Sequence, residues 1–401
     1  MNLSNGMFHS PPFPNNFANE FLALERGKGV YIYDTDHRKY LDFGAGIAVN
    51  ALGYGCKDLA ETAKRQMMKL IHVSNLYATV PSVTLAEKLT ALGDFSAVHF
   101  GNSGTEANEA ALKYSRIYSM RTKGEGHHKF LSFEHAFHGR TMGSMSVTPA
   151  KAYKEAAEPL VPGCVTIPYN DVETLEKTLD ASFAAVIVEP LQGEGGLHVM
   201  TQEFAKALNS ICEKHDVIII ADEVQTGLGR LGEIFGSHFV GLKPDIITLS
   251  KPLAGGLPLS ATLIPEKINR LVKLGEHGTT FGGGPVTTAV ALKVLEKLTA
   301  TPFLQKVRER AAYLEDRLEE LAAAYSAIDG RHGAGLLQGI SISGESNLSA
   351  SDVITKCREN GLLVLKSGKN RIRLAPPLII TEKEIEYGVA ILEKIIKSSN
   401  A

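Results

Sequence analysis

The sequence predicts an α/β protein: a mostly parallel central sheet flanked by helices, with a smaller α+β domain. Three observations predict it. From about residue 97, short apolar runs alternate with amphipathic helical stretches, the pattern of parallel strands joined by crossover helices. Three consecutive runs end in charge: Ala184–Val188 leads into Glu189-Pro190, Val217–Ala221 into Asp222-Glu223, and Asp245–Leu249 into Ser250-Lys251. The C-terminal part then changes to one long amphipathic helix followed by short strands.

Taken in order, residues 1–20, rich in Asn and carrying Pro11, Pro12 and Pro14, read as an extended arm. Gly29–Asp34 and Arg38–Phe43 read as a hairpin with its turn around Asp34–His37. Helical periodicity marks Asp58–Leu70 and Ser82–Leu92. A helix from about Thr201 to Lys214 separates the first two of the charged-ended strands. The long helix covers Phe303–Ala324, with Leu304, Val307, Leu314, Leu318 and Leu321 on one face. Strands follow near Leu337–Ser343, Leu362–Lys366 and Arg371–Leu374, and the last helix opens on the capping box Thr381–Glu384. The division that follows is an N-terminal segment 1–60 belonging to the small domain, a large domain 61–287 and the C-terminal small domain 288–401.

Composition narrows the function classes. The chain has 401 residues, 44% apolar and 21% charged, and a net charge of −2 with both signs scattered. That balance gives no electrostatic reason to expect nucleic acid or a membrane surface as partner. No apolar run approaches the ~20 residues of a membrane span. The first 20 residues contain no Arg or Lys and no signal-like apolar core, so the expected address is cytoplasmic. Cys56, Cys164, Cys212 and Cys357 are widely spaced and read as reduced structural thiols. His135 and His138 with Glu134 make a poor metal set, and no metal is expected.

The charged strand ends carry the chemistry. In parallel sheets the binding crevice lies outside the carboxyl ends of the strands. Asn102–Lys113 follows the short apolar segment Val98–Phe100 and runs small hydroxyl residues into a strong helix, whose free N–H groups suit a phosphate. Ser103 or Thr105 would serve equally as a plain N-cap. Gly101–Thr105 also resembles a G-x-S-x-G nucleophile elbow with Thr in the last position, which keeps a serine hydrolase acting through Ser103 as a distant alternative. Lys251 sits in an apolar, Gly-rich setting; if buried, it would have a lowered pKa and a neutral amine ready for a Schiff base, and otherwise it is a solvated strand-end lysine. Asp222 ends the neighbouring strand, 29 residues earlier, about one βαβ step. A carboxylate there would keep a pyridine nitrogen protonated; the plain reading is a helix cap, with Glu223 a surface charge.

At this point the chain resembles the class III pyridoxal-phosphate-dependent aminotransferases, and within them the acetylornithine branch, from about Gly27 to Lys397. The matching stretches are Gly46–Asn50, Ser74–Tyr77, Asn102–Leu112, Ala136–Thr141, Val188–Gly196, Asp222–Arg230, Ser250–Pro258, His277–Gly283 and Arg371–Pro377. The resemblance implies a fold type I PLP-dependent transferase, pyridoxal 5′-phosphate as cofactor on Lys251, and Asp222 on the ring nitrogen. It further implies that Ser103, Gly104 and Thr105 hold the phosphate, that Phe137 and Val224 sandwich the ring, and that Gln225 reaches its 3-hydroxyl. Thr280 would reach the phosphate across a homodimer with shared active sites, and Thr279 would lie near the substrate.

The implied reaction transfers the ω-amino group of N2-acetylornithine to 2-oxoglutarate, giving N-acetylglutamate 5-semialdehyde and glutamate, a step of arginine biosynthesis. Arg140 and Arg373 are the carboxylate anchors, since Arg offers a two-pronged fit. In enzymes this chain resembles, the acid matching Glu189 pairs with the arginine matching Arg373 while an ω-amino substrate is bound, and releases it for glutamate. Glu194 shapes the pocket or the dimer contact. Ile47 stands where ornithine enzymes have a tyrosine that holds a free α-amine, which suits an acylated donor, although GABA-type enzymes also carry isoleucine there. The alternatives are the ornithine, GABA, putrescine and succinyldiaminopimelate ω-aminotransferases. Two departures from the commonest bacterial pattern are Gly53-Tyr-Gly-Cys56, where Gly-His is usual, and Gly284-Pro285, where Asn-Pro is frequent.

Overall fold

The structure is a computed structural model, and it describes residues 3–4, 7–9, 11–17 and 20–398. Strands β1 (Leu3–Ser4), β2 (Met7–His9) and β3 (Glu20–Leu22) pair antiparallel, so parts of the expected arm form a small sheet; residues 11–17 are bends and a turn, and the remaining positions lie outside the described residues. The expected hairpin forms from β5 (Tyr31–Asp34) and β6 (Lys39–Asp42), with β4 (Leu24–Lys28) along β5. Its turn is fixed by Asp34, whose Oδ1 accepts from the N–H groups of Asp36 and Arg38.

The central sheet has seven strands: β7 (Ala97–Gly101), β8 (Lys129–Phe133), β9 (Cys164–Ile167), β10 (Phe183–Val188), β11 (Ile218–Asp222), β12 (Ile246–Leu249) and β13 (Ser260–Ile264). Their spatial order is β7-β13-β12-β11-β10-β8-β9, and β13 alone runs against the rest. The strands β10, β11 and β12 are buried along their whole length because helices cover both faces. Alternation sends Ala185, Ile187, Ile218 and Ile220 to Ala110, Ala111 and Tyr114 of α1 (Gly104–Thr122). It sends Val186, Val188 and Ile219 to Phe204, Leu208 and Cys212 of α2 (Gln202–His215) on the other face. Each buried Leu, Ile or Phe contributes roughly 1.5–3 kcal/mol.

The C-terminal unit is built on α3 (Phe303–Ala324), whose buried face is Val307, Ala311, Leu314, Leu318 and Leu321. An antiparallel sheet of β14 (Ile328–Ala334), β15 (Leu337–Ile342), β17 (Leu365–Ser367) and β18 (Arg371–Leu374) packs near it, in the order β14-β15-β18-β17. The short strand β16 (Leu362–Leu363) pairs parallel with β6, which ties the C-terminal unit to the N-terminal segment. The last helix, α4 (Glu382–Lys397), carries the expected capping box at Thr381 and Glu384.

Between β6 and the central sheet the chain makes one turn of left-handed helix. Ala45, Gly46, Ile47 and Ala48 have φ of 48°, 63°, 63° and 62°. Ala48 N–H and Val49 N–H close it onto the carbonyls of Gly44 and Ala45, both at 2.9 Å. Left-handed backbone costs about 1–2 kcal/mol for each non-glycine residue, so surrounding structure must hold this turn.

Candidate active site

Because β10, β11 and β12 are adjacent and parallel, Glu189, Asp222 and Lys251 emerge side by side at one sheet edge. They line a cavity of about 250 Å³ together with Gly104, Thr105, Asn108, Phe137, His138, Arg140, Val224 and Gln225. A larger cavity, about 520 Å³, lies along the outer face of α1. Volume therefore does not pick out the site; convergence of titratable groups does.

Asp222 is buried and held from three sides. Its Oδ2 accepts from Asn108 Nδ2 at 2.8 Å and lies 2.8 Å from His138 Nδ1, and its Oδ1 accepts from Val224 N–H at 3.1 Å. A carboxylate only accepts, so His138 Nδ1 carries the proton. Asn108 is itself fixed: it donates to the His138 carbonyl at 2.7 Å and accepts from Thr248 Oγ1 at 2.8 Å. Neither Asn108 nor His138 stood out in the sequence as more than a motif neighbour. The signal that could have found Asn108 is its position one helical turn after Gly104, facing the same strand ends. Glu223 corrects an expectation. It is not a surface charge but is 1% exposed, with its carboxylate accepting from the N–H groups of Gly236 and Ser237, both at 2.6 Å. It anchors the loop after β11, and burial raises its pKa.

Lys251 follows β12 at the start of a short turn, Lys251–Ala254. Burial holds its amine below the ordinary lysine range; Glu194, Asp222 and Glu189 oppose that shift and Arg373 adds to it. Glu189 is raised above the usual carboxylate range, chiefly by burial and further by Asp222, against His138. Its Oε1 accepts from Phe137 N–H at 2.9 Å and its Oε2 from Gly193 N–H at 3.3 Å.

Arg373 is buried, and its Nη1 donates to Glu194 Oε1 at 2.6 Å, Gln225 Oε1 at 3.1 Å and the Gly193 carbonyl at 3.1 Å. Here Arg373 is engaged by Glu194 and Glu189 turns to backbone N–H groups, whereas the Glu189–Arg373 pairing is the one expected with an ω-amino substrate bound. Arg230 steadies that arginine's strand, its Nη1 donating to the carbonyls of Leu336 and Pro376 at 2.9 and 2.6 Å. Arg140 is exposed and stacks its guanidinium 3.6 Å over the Tyr153 ring.

Ser103 is the N-cap of α1: its hydroxyl accepts from Glu106 N–H and donates to the Glu106 carboxylate, so its side chain is engaged away from the cavity. Gly104 and Thr105 do line the cavity. A Cβ on Gly104 would meet Val224 at 2.7 Å, and one on Gly139 would strike Thr105, so the helix N-terminus is a close-fitting cradle of backbone. Thr279 and Thr280 lie elsewhere in the single chain. Thr279 accepts from Asn75 Nδ2 through its carbonyl at 2.6 Å, and Thr280 borders a crevice with Ser74 and Tyr77. Ile47, 46% exposed, tips the left-handed turn that packs against Lys251–Ala254.

The family described as aminotransferase class-III matches residues 13–396. The chain belongs to the class-III aminotransferases. This aminotransferase is 42% identical over 381 residues to the mitochondrial acetylornithine aminotransferase of Alnus glutinosa, covering 94% of the chain and 84% of that relative. It is 41% identical over 392 residues to the acetylornithine aminotransferase of Vibrio parahaemolyticus, covering 98% and 97%. Its fold is similar to the Toxoplasma gondii ornithine aminotransferase, a structure with partial occupancy of PLP at its active site, at a TM-score of 0.92, 28% identity and coverage of 97% and 93%. The aminotransferase thus has the α/β fold its sequence predicts. Among the described residues no helix is long and apolar enough to cross a membrane, and no group of three or more His, Cys, Asp or Glu is placed to hold a metal ion.

The residues at the cavity fit pyridoxal phosphate. A half-buried amine, a buried carboxylate presented on the adjacent strand and a backbone cradle at a helix N-terminus match its aldehyde, ring nitrogen and phosphate.

Proposed function

We propose that this aminotransferase moves the ω-amino group of N2-acetylornithine to 2-oxoglutarate, with pyridoxal 5′-phosphate as cofactor and Lys251 and Asp222 as its catalytic pair. The observation that carries the reading is the convergence of Lys251, Asp222 and Glu189 on one cavity bordered by two arginines. When bound, pyridoxal phosphate supplies an aldehyde that takes up the amino group and a cationic ring that accepts the electron pair left when the substrate carbon loses its proton.

This chain's residues do the rest. Asp222, held by His138 and Asn108, would be the carboxylate presented to the ring nitrogen. Phe137 and Val224, on the cavity wall, would flank the ring, Gln225 would reach its 3-hydroxyl, and Gly104 and Thr105 would hold the phosphate. Lys251, whose amine burial holds below the ordinary lysine range, would be the group that moves a proton at the substrate's amine-bearing carbon. Arg140 and Arg373 receive the carboxylates, and Glu194 masks Arg373 when the second carboxylate is missing. One site thereby serves a donor with one carboxylate and a glutamate with two.

The exposed apolar residues Met67, Met68, Ile71, Leu76, Tyr77, Val80 and Phe281 fall in two neighbouring segments. They support a homodimer in which Thr280 and Thr279 serve the partner's site. The test is a panel of amino donors with 2-oxoglutarate. N2-acetylornithine is expected to give the highest kcat/KM, and a clear preference for ornithine, GABA, putrescine or succinyldiaminopimelate would replace this assignment. The likeness to an ornithine aminotransferase makes ornithine the comparison that matters most. A colourless protein labelled at Ser103 by a fluorophosphonate would instead favour the hydrolase.

A further inference from the structure

We propose that Tyr54 is a positioning residue whose hydroxyl, bridging Asp42 and Asn50, holds the left-handed turn Ala45–Ala48 against the Lys251 turn and so tunes which amino donor is accepted. The donor part of this inference rests on the function proposed above; the positioning part does not.

Only Gly46 of Ala45-Gly-Ile-Ala48 takes a left-handed conformation readily, since the other three residues carry a Cβ. The constraint comes from outside it. At its start, buried Asp42 accepts through Oδ1 from Gly44 N–H at 2.8 Å. Through Oδ2 it accepts from Tyr54 Oη at 2.6 Å. At its far end, Asn50 Nδ2 reaches both Tyr54 Oη and the Ala45 carbonyl at 3.3 Å. Tyr54 thus joins the residue that opens the turn to the residue that closes it.

Tyr54 is itself immobilised. Its backbone exchanges two hydrogen bonds with Gly29, at 2.8 and 2.9 Å, and a Cβ on Gly27 would come within 2.5 Å of its side chain. The ring is therefore laid on β4 with no side chain between, and its hydroxyl is a fixed point. The turn it braces packs against Lys251–Ala254, and the Asn50 side chain flanks Gly256, just past that segment. Ile47 stands exposed at the tip. A strained backbone kept by an external strut against the segment that carries Lys251 is a device for placing one side chain.

The test uses holoenzyme carrying Tyr54→Phe, which keeps the ring and removes the hydroxyl, and Tyr54→His, which can restore a donor to Asp42. Hydrogen exchange of the Ala48, Val49 and Asn50 amides reads the turn; KM and kcat with N2-acetylornithine and with ornithine read the consequence. In Tyr54→Phe the amides should exchange about 5- to 10-fold faster and KM for N2-acetylornithine should rise by about the same factor, the range set by one lost hydrogen bond. The kcat should change by less than about 2-fold and the preference over ornithine should narrow, with Tyr54→His recovering most of both effects. Unchanged exchange overturns the strut, and equal losses with both donors overturn the donor role. A wild-type enzyme inactive with both donors sinks the proposed function instead, and the exchange result still decides the strut.

Discussion

His138 Nδ1 lies 2.8 Å from Asp222 Oδ2, and both side chains are almost closed to solvent. With Asn108 Nδ2 on the same oxygen, the carboxylate is oriented by two side-chain donors before any ligand arrives. His138 Nε2 is buried and has no hydrogen-bond partner among the described residues, so the ring's one polar function in this structure is to orient Asp222. Replacing His138 by Ala should weaken pyridoxal-phosphate binding by about 10- to 100-fold, the loss of a hydrogen bond to a charged group. Equilibrium dialysis against the cofactor measures it, and an unchanged affinity would show that Asn108 suffices.

Lys251→Ala should reduce transamination by at least about 10⁴-fold, because among the described residues no other amine lines the cavity. Borohydride reduction of the wild type followed by peptide mapping should place the cofactor on Lys251. Labelling at any other lysine would refute the assignment.

Glu194 and Arg373 set the balance between substrates. Glu194→Gln removes the charge that engages Arg373, and KM for 2-oxoglutarate should fall by about 3- to 10-fold while KM for a monocarboxylate donor rises. Arg373→Ala should raise KM for 2-oxoglutarate by about 10²-fold. Steady-state kinetics with each substrate varied in turn checks both; a Glu194→Gln enzyme with wild-type constants would disconnect the pair from specificity.

Ser103 separates a cap from a cofactor ligand. As the N-cap of α1, Ser103→Ala should cost about 1 kcal/mol of stability and leave cofactor affinity within about 3-fold. A large fall in affinity at unchanged Tm would restore the phosphate role to its hydroxyl.

Glu223 predicts a pH dependence of stability. Burial raises its pKa in the folded chain above the unfolded value, so the folded state binds the proton more tightly. Its favourable contribution is complete below the ordinary carboxylate range and is lost as pH rises through the folded value. The Tm advantage of the wild type over Glu223→Gln should therefore shrink as pH rises above the ordinary carboxylate range. A gap that widens with pH would mean that the Gly236 and Ser237 N–H groups outweigh burial.

Local pattern was enough for most of the fold. The runs ending at Val188, Ala221 and Leu249 became β10, β11 and β12, and the helix expected over Phe303–Ala324 formed at those bounds. Lys251, Asp222, Glu189, Gly104 and Phe137 were legible as candidates and do meet in one cavity. The roles of Glu223, His138 and Asn108 were not. Each depends on which residues, far along the chain, face it: Glu223 meets Gly236 and Ser237, and His138 meets Asp222 across 84 positions.

The sequence by itself determined the alternation of strands and helices, the charged strand ends and the family, because these follow from hydrophobic period and short motifs. Only the tertiary structure decided that Arg373 meets Glu194 rather than Glu189, that Glu223 is buried, and that Ala45–Ala48 turns left-handed. Those outcomes are set by competition among acceptors and by packing between distant segments. No stretch of chain carries that information alone.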